Sequence, residues 1–557
     1  MRNPLSKSLA ALLLLLPIGA QTKADPNRHV IVISLDGFPA YALRDQTLPL
    51  PVMRRMVREG GVAEGMKTVN PTVTWPNHTA MVTGVDASQN GVLYNAMPVR
   101  EGDGKPIRLD SRVSKSELVL SPTVYDAAHE AGLTTAEVAW VAIREAKSID
   151  WSFSEGAGAG GALARELVEQ GAITAEEMQA YRRAPAPFHD ELRVRAAVHL
   201  IEKHRPNLLL LHLAATDDVQ HTYGARTLAA QTALVLADRQ IQRILDAIDR
   251  AGIRENTTVL VVSDHGFKKY QNMITPEVWL RRKGLIRGTG DQADCDASIV
   301  IEGGSAYIYV TRESKREATL KSLKDIFTNA PGIAKVIWPE DFSKYGYPQA
   351  ARGGRMSDLV IEAAPGYAFQ GNRPASEPIM PIPPGGENGT HGYLNTDPDM
   401  DAIFVAWGAG IRPGSRTGVV PNTRVAGTIA SLLSLNLGGS APIYEILSKS
   451  VEAAPDLKAT RFQSAGFGGD HHGYDRGWHG VGQPRQDGWG DSAGIEESHP
   501  AQPQNKIECD AGPAMEDRDG STPDQIAEKH VNHPGSDVPG ECNLDQRGEE
   551  IEQQDGE

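Results

Sequence analysis

Apolar residues in this chain fall into short unbroken runs, and three of these runs end on an acid: HVIVISLD at Asp36, NLLLLHLAATD at Asp217 and TTVLVVSD at Asp264. A strand that is apolar at every position, rather than at every second one, is covered on both faces. The runs therefore predict a largely parallel sheet buried between helices. DAIFVAWG (Asp401–Gly408) reads as a further strand. Helix-like stretches lie between. Leu228–Ala251 carries Leu234, Ala237, Ile241, Ile244 and Ile248 at the spacing of one helix face. Glu191–His204 and Val425–Leu433 are predicted as helices too, as is Pro122–Ala131, with Ser121 as cap and Pro122 at the first position. Alternation of the two kinds of run from about Arg28 to Leu437 argues for an α/β fold.

The texture changes between residues 270 and 388. SIVIEGGSAYIYV, EATLKSLKDIF and SDLVIEAA are separated there by Pro/Gly-rich joints such as Pro381–Gly386, which predicts a smaller α+β insertion over one edge of the main sheet. The main domain is then 25–269 together with 389–462. From about Ala465 periodicity is lost and Gly, Asp, His, Gln and Pro dominate. Such a composition buries too little apolar surface to offset the entropy of ordering. Residues 463–557 are therefore predicted as an acidic disordered tail, and the triplet Asp470-His471-His472 within it as solvated.

Charge follows the same division. The chain holds 71 acidic and 56 basic residues, a net charge of −15, but Asp470–Glu557 alone holds 21 and 6. The body is balanced and offers no basic surface for nucleic acid. Met1-Arg2 and Lys7, the apolar Leu9–Ile18 and the small residues after it read as a secretory signal peptide within 1–24, cut after Ala20 or Ala24. The apolar stretch is too short for an ordinary transmembrane helix; an uncleaved anchor is the alternative. The mature protein is expected to be exported, periplasmic or secreted, with no transmembrane segment. Of three cysteines only Cys295 precedes the tail, too few for a disulfide framework.

A carboxylate at the end of a buried strand is costly unless something binds it. Ligand sites of open α/β sheets form beyond the carboxyl ends of the strands, which would gather Asp36, Asp217 and Asp264 at one rim. Asp217 and His221 are one helical turn apart and can face one ion, and Asp264-His265 offers two ligands on a turn. One such pair alone is weak, since a strand-end Asp is as often an N-cap. Three acids together are most simply explained by a shared metal centre. Asn70-Pro-Thr-Val-Thr74-Trp-Pro-Asn-His78 presents Thr74 between prolines ahead of a helix-like segment, His78–Val82, where backbone N–H groups favour an anion. By itself Thr74 reads as an N-cap. Beside a metal that lowers its pKa it reads as a nucleophile.

SLDG (Ser34–Gly37), TWPNH (Thr74–His78), NGVLYNAM (Asn90–Met97), Asp217-x-x-x-His221-x-Tyr-Gly, SDHG (Ser263–Gly266) and His391-Gly-Tyr occur in that order. Together they resemble the nucleotide pyrophosphatase/phosphodiesterase (type I phosphodiesterase) branch of the alkaline phosphatase superfamily, over about Arg28–Gly439. The resemblance implies an alkaline-phosphatase-like sheet with helices on both faces. It implies an exported hydrolase of phosphodiester or pyrophosphate bonds, acting on small phosphate esters or nucleotides. It also implies two Zn²⁺ per chain, one on Asp217, His221 and His391, the other on Asp36, Asp264, His265 and the Thr74 oxygen. Thr74 would form a phospho-enzyme, with Asn95 and the Thr74 N–H holding a non-bridging oxygen. Without the resemblance, His391 reads as a surface residue in the loop Gly385–Gly392 and Asn95 as a turn residue.

Some positions depart from the family pattern. Trp75 stands where members often have Phe, and could stack on a base or aryl leaving group or simply pack. The family's Trp-Pro-Gly tract is replaced by AWVAIREAKSIDW, in which Arg144 or Lys147 could reach a further phosphate charge or lie on a solvated face. His212 and Leu213 offer no aromatic platform for a nucleoside. The rival readings are a phosphomonoesterase or phosphonate hydrolase of the same superfamily, or a non-catalytic exported metal- or phosphate-binding protein. A sulfatase is disfavoured, because Thr74 occupies the place of its modifiable Cys or Ser.

Overall fold

The computed structural model of the chain describes residues 24–452, except 156–160, 291–292, 372–374 and 384–388. The expected signal peptide, save Ala24, and the tail 463–557 with Asp470-His471-His472 lie outside the described residues.

The central sheet has eight strands: β1 His29–Leu35, β2 Gly61–Ala63, β3 Thr135–Val138, β4 Trp151–Phe153, β5 Leu208–Leu213, β6 Thr257–Val262, β7 Phe404–Gly408 and β8 Ser415–Thr417. Their order is β8-β2-β7-β6-β1-β5-β3-β4. β1 runs between β5 and β6, parallel to both, with Ile33 opposite Leu211 and Val261. β7 departs from the rule and is antiparallel to β6 and β2. A run buried on both faces carries no mark of direction, so its pattern could not reveal this.

The helices that matter here are α1 Pro51–Glu59, α2 Thr74–Thr83, α3 Val124–Glu130, α4 Ala186–His199, α5 Ala215–Tyr223, α6 Leu228–Arg250 and α7 Arg424–Leu433. Successive strand side chains point to opposite faces. Ile31, Ile33 and Leu35 therefore bury with Met53 and Met56 of α1, Leu192 of α4 and Ile241, Ile244 and Ile248 of α6. Val30 and Val32 bury on the other side with Met81 and Val82 of α2, Tyr125 of α3 and Ile429 of α7. Each such side chain contributes about 1.5–3 kcal/mol. With both faces covered, a one-residue slip would misplace two cores at once.

Three boundaries differ from the pattern-based expectation. The helix expected at Pro122 begins at Val124, because Thr123 and Asp126 form a reciprocal capping box that outcompetes Ser121-Pro122. The helix expected at Glu191–His204 begins at Ala186 and leaves α geometry after His199. Asp217 does not end a strand: β5 stops at Leu213, and Asp217 sits in the first turn of α5. Asp190 of α4 accepts the N–H groups of Ala214 and Ala215 at 2.9 and 2.8 Å, which starts the helix and stops the strand.

Within 270–388, four antiparallel strands form a second sheet in the order Ala297–Glu302, Ser305–Val310, Leu359–Ala363, Ile333–Ile337. Leu323 and Phe327 of the helix Arg316–Phe327 cover Ile308, Leu359 and Ile361 on one face. The other face packs Tyr307, Tyr309 and Val360 against Leu93 and Tyr94, next to Asn95.

Candidate metal centre

Asp36 directly follows β1, and Asp264 stands two residues past β6. With Asp217 at the start of α5, the carboxyl ends of three adjacent strands converge. Asp217, His221 and His391 each place one ligand atom within 4.8 Å of the others, and so do Asp36, Asp264 and His265. The two groups share a border. His265 Nε2 lies 3.4 Å from Asp36 Oδ1, 3.4 Å from Asp264 Oδ2 and 3.9 Å from Asp217 Oδ1. That Asp217 oxygen is 3.8 Å from His391 Nε2, and His221 Nε2 is 3.4 Å from Asp217 Oδ2. The rings of His265 and His391 stack with centroids 3.7 Å apart.

Asp36 Oδ1, Asp217 Oδ1, Asp264 Oδ2 and His265 Nε2 are buried without a hydrogen bond. Each buried unsatisfied group costs about 1–3 kcal/mol, more if charged. Burial, then the neighbouring carboxylates, push Asp217 and Asp264 well above the usual carboxylate range. Burial raises Asp36 to about 7 and lowers His391 to about 4, and it holds His221 and His265 well below the ordinary imidazole value. Lone pairs facing one another in this way fit cations, and carboxylate oxygen with imidazole nitrogen is a donor set that zinc accepts.

The remaining atoms of these side chains are anchored so that the ligand atoms point inward. His391 Nδ1 lies 3.0 Å from the Thr72 carbonyl, and His265 Nδ1 3.1 Å from that of Gly266. Carbonyls only accept, so each Nδ1 carries the hydrogen and each Nε2 the lone pair. Asp264 Oδ1 accepts from the Gly37 and His265 N–H groups, both at 3.0 Å. Gly37 has φ +63, and a Cβ there would stand 2.9 Å from the Phe267 ring and 3.2 Å from Asp217 Oδ1. Gly37→Ala is therefore expected to lower stability by about 1–2 kcal/mol and to weaken metal retention. Thermal melts and bound metal per chain check this, and the idea fails if neither changes.

Thr74 opens α2, and Val73 is the N-cap, with no side-chain capping bond. Both flanks of Thr74 touch the ligand groups. The Thr72 carbonyl holds His391, while His78 Nδ1 lies 2.9 Å from the Thr74 carbonyl and 3.5 Å from Asp264 Oδ2. Asn95 Oδ1 accepts from the Trp75 N–H at 2.8 Å, which ties Asn95 to the same turn.

The structure also places the tentative substrate-contact residues. Trp75 is 5% exposed and packs with Val92, Val113, Leu118 and Val141. Arg144 is half-exposed and pairs with Glu145 at 3.4 Å, and Lys147 is exposed, as on a solvated face. Sequence reasoning missed three supporting side chains. His212 Nε2 stands 2.9 Å from Asp36 Oδ2, Gln220 donates to the Gly37 carbonyl at 2.8 Å, and the Thr216 hydroxyl donates to the Asp36 carbonyl. A lone His in an otherwise aliphatic strand was the available signal for the first.

The fold is an open α/β sheet that carries, at the carboxyl ends of adjacent strands, two carboxylate–imidazole groups able to hold a metal ion. The profile of the family Type I phosphodiesterase / nucleotide pyrophosphatase matches residues 30–394, and the chain belongs to that family. It is 22% identical to human ectonucleotide pyrophosphatase/phosphodiesterase family member 1 over 73% of this chain and 40% of that protein. It is likewise 22% identical to human family member 7, over 83% of this chain and 93% of that one. The chain thus spans less than half the length of the family member 1 relatives of human, mouse and rat. Murine ectonucleotide pyrophosphatase/phosphodiesterase 5 superposes with TM-score 0.59 at 19% identity, covering 76% of this chain and all of that one. An inactive Thr-to-Ala form of that murine protein, in complex with AMP, superposes with TM-score 0.58. The fold is alkaline-phosphatase-like. No helix among the described residues is long and apolar enough to cross a membrane.

Proposed function

We propose that the protein is an exported, two-zinc hydrolase that cleaves phosphodiester or pyrophosphate bonds of small phosphate esters or nucleotides through Thr74. The observation that carries this reading is the convergence of six ligand side chains, four of their atoms buried and unbonded, on either side of the Thr72–His78 turn. Asp217, His221 and His391 would hold one ion; Asp36, Asp264, His265 and the Thr74 oxygen would hold the other. When bound, the ions would supply Lewis-acid charge that lowers the pKa of the Thr74 hydroxyl and neutralises the leaving oxygen.

The residues then divide the work. Thr74 Oγ attacks phosphorus in line as the ester or anhydride oxygen leaves, forming phospho-Thr74. Water cleaves the new Thr74–phosphorus bond, restoring the hydroxyl and releasing the phosphate product. At the start of α2 the Trp75 N–H goes to Asn95, Pro76 has none, and the Asn77 N–H returns to the Val73 carbonyl. The Thr74 amide would be the helix-terminal donor to a non-bridging oxygen, with Asn95 helping to hold it. The inactive Thr-to-Ala relative bound to AMP supports both a threonine requirement and a nucleotide-sized ligand. The leader-like start of the sequence supports export. We read 25–269 and 389–462 as the catalytic domain and 270–388 as an insertion.

The test is a substrate panel on purified protein of known zinc content. Turnover of bis(p-nitrophenyl) phosphate and of a nucleoside triphosphate is expected to exceed that of p-nitrophenyl phosphate. The reverse order favours a monoesterase. Zinc-loaded protein that turns over none of the three is a binding protein.

A further inference from the structure

Glu166, His199 and His204 make a third ligand group, and it lies at the other end of the sheet. Asp36, Asp217 and Asp264 follow the carboxyl ends of their strands. His204 instead comes four residues before β5 begins, and Trp151, whose ring centroid is 4.6 Å from that of His204, is the first residue of β4. One Glu166 oxygen, Oε1, lies 2.8 Å from His199 Nε2 and 2.6 Å from His204 Nε2.

The backbone is shaped to bring these side chains together. Residues five apart on a regular α-helix diverge by about 140°. After His199 the helix widens into a π-turn over Leu200–His204, closed by the Arg205 N–H bonding to the Leu200 carbonyl at 2.9 Å, with Arg205 at φ +49. The wider turn swings His204 onto the face of His199. Turns of this kind are rare and recur at functional sites. Here the result is two imidazoles aimed at one carboxylate, none of which serves the phosphate chemistry.

We propose that Glu166, His199 and His204 bind a divalent transition-metal ion, separate from the two-zinc centre, with water completing its shell. Two imidazole nitrogens and one carboxylate oxygen form a donor set suited to Zn²⁺ or Cu²⁺. Binding uses the Nε2 lone pair of each ring, so any hydrogen on Nε2 moves to Nδ1 or to solvent, and Glu166 Oε1 changes from hydrogen-bond acceptor to ligand. Donors at about 2.0–2.1 Å in tetrahedral array stand roughly 3.3 Å apart, so the group must open slightly. Glu166, one-third exposed on the helix Ala162–Glu169, has room to do so, and His204, 22% exposed, marks the entry path.

Trp151 supplies a local probe. Cu²⁺ titrated into the chelator-treated full-length chain is expected to quench a fluorescence component that is missing in Trp151→Phe and absent or shifted at least ten-fold in His204→Ala. Zn²⁺ bound per chain is expected to fall by one in His199→Ala and in His204→Ala, with turnover unchanged. If either histidine variant destabilises the fold, Glu166→Gln keeps an acceptor oxygen but removes the charge; it should hold its melting temperature and bind Cu²⁺ at least ten-fold more weakly. Equal quenching and equal zinc content across wild type and variants would overturn the site and leave a hydrogen-bonded clamp. The readout is a difference between variants, so it stands whether or not the Thr74 centre takes zinc.

Discussion

Thr74→Ala is expected to keep its zinc and lose roughly a thousand-fold or more of its turnover on bis(p-nitrophenyl) phosphate, as when an attacking atom is deleted. Three protein side chains would still hold each ion, because Thr74 contributes only its oxygen to one of them. The fold should also persist. Val73, not Thr74, is the N-cap of α2, so the substitution removes no capping bond of the kind worth about 1 kcal/mol. Zinc content by elemental analysis, a thermal melt and steady-state kinetics check the three parts separately. Thr74→Ser, which keeps an oxygen, should recover part of the rate. A Thr74→Ala enzyme with near-normal turnover would refute the nucleophile assignment, and the phospho-enzyme with it.

Chelation is expected to abolish turnover and lower the melting temperature, and added zinc should restore both. Each ion held at about a hundred times its Kd stabilises the native state by about 2.7 kcal/mol. Once the cations are removed, the facing oxygens of Asp36, Asp217 and Asp264 have no counter-charge. Asp264→Asn separates these effects. Its Oδ1 can still accept from the Gly37 and His265 N–H groups, both at 3.0 Å, so the turn survives while one of three carboxyls whose charged form burial disfavours is gone. The stabilities are therefore expected to cross: wild type melts above the variant with zinc present, and the variant melts above wild type after chelation. Turnover of the variant should fall roughly a hundred-fold or more, in line with loss of an electrostatic contact to the reacting centre. Identical melts before and after chelation would mean that these side chains hold no ion.

The sequence alone determined the α/β class and the neighbourhood of the centre. Strands buried on both faces must be apolar throughout, and an acid at the end of such a run is conspicuous because burial without a partner is costly. Asp36, Asp264 and the Asp217/His221 pair were visible for that reason. His391 was not: it meets Asp217 only because a loop more than 120 residues beyond α5 returns to the rim, and only the family resemblance singled it out.

Tertiary structure decided what pattern cannot encode. It set which oxygen of Asp36 and of Asp264 is left without a hydrogen bond, since His212 and Gly37 occupy the others. It packed Trp75 and left Arg144 in solvent, choices that depend on neighbours distant in sequence. It turned β7 antiparallel, and it brought His199 and His204 together through a wider helical turn where a regular helix would have parted them. Apolar runs record how much of a segment is covered; only the packed chain settles what covers it and which way each polar atom points.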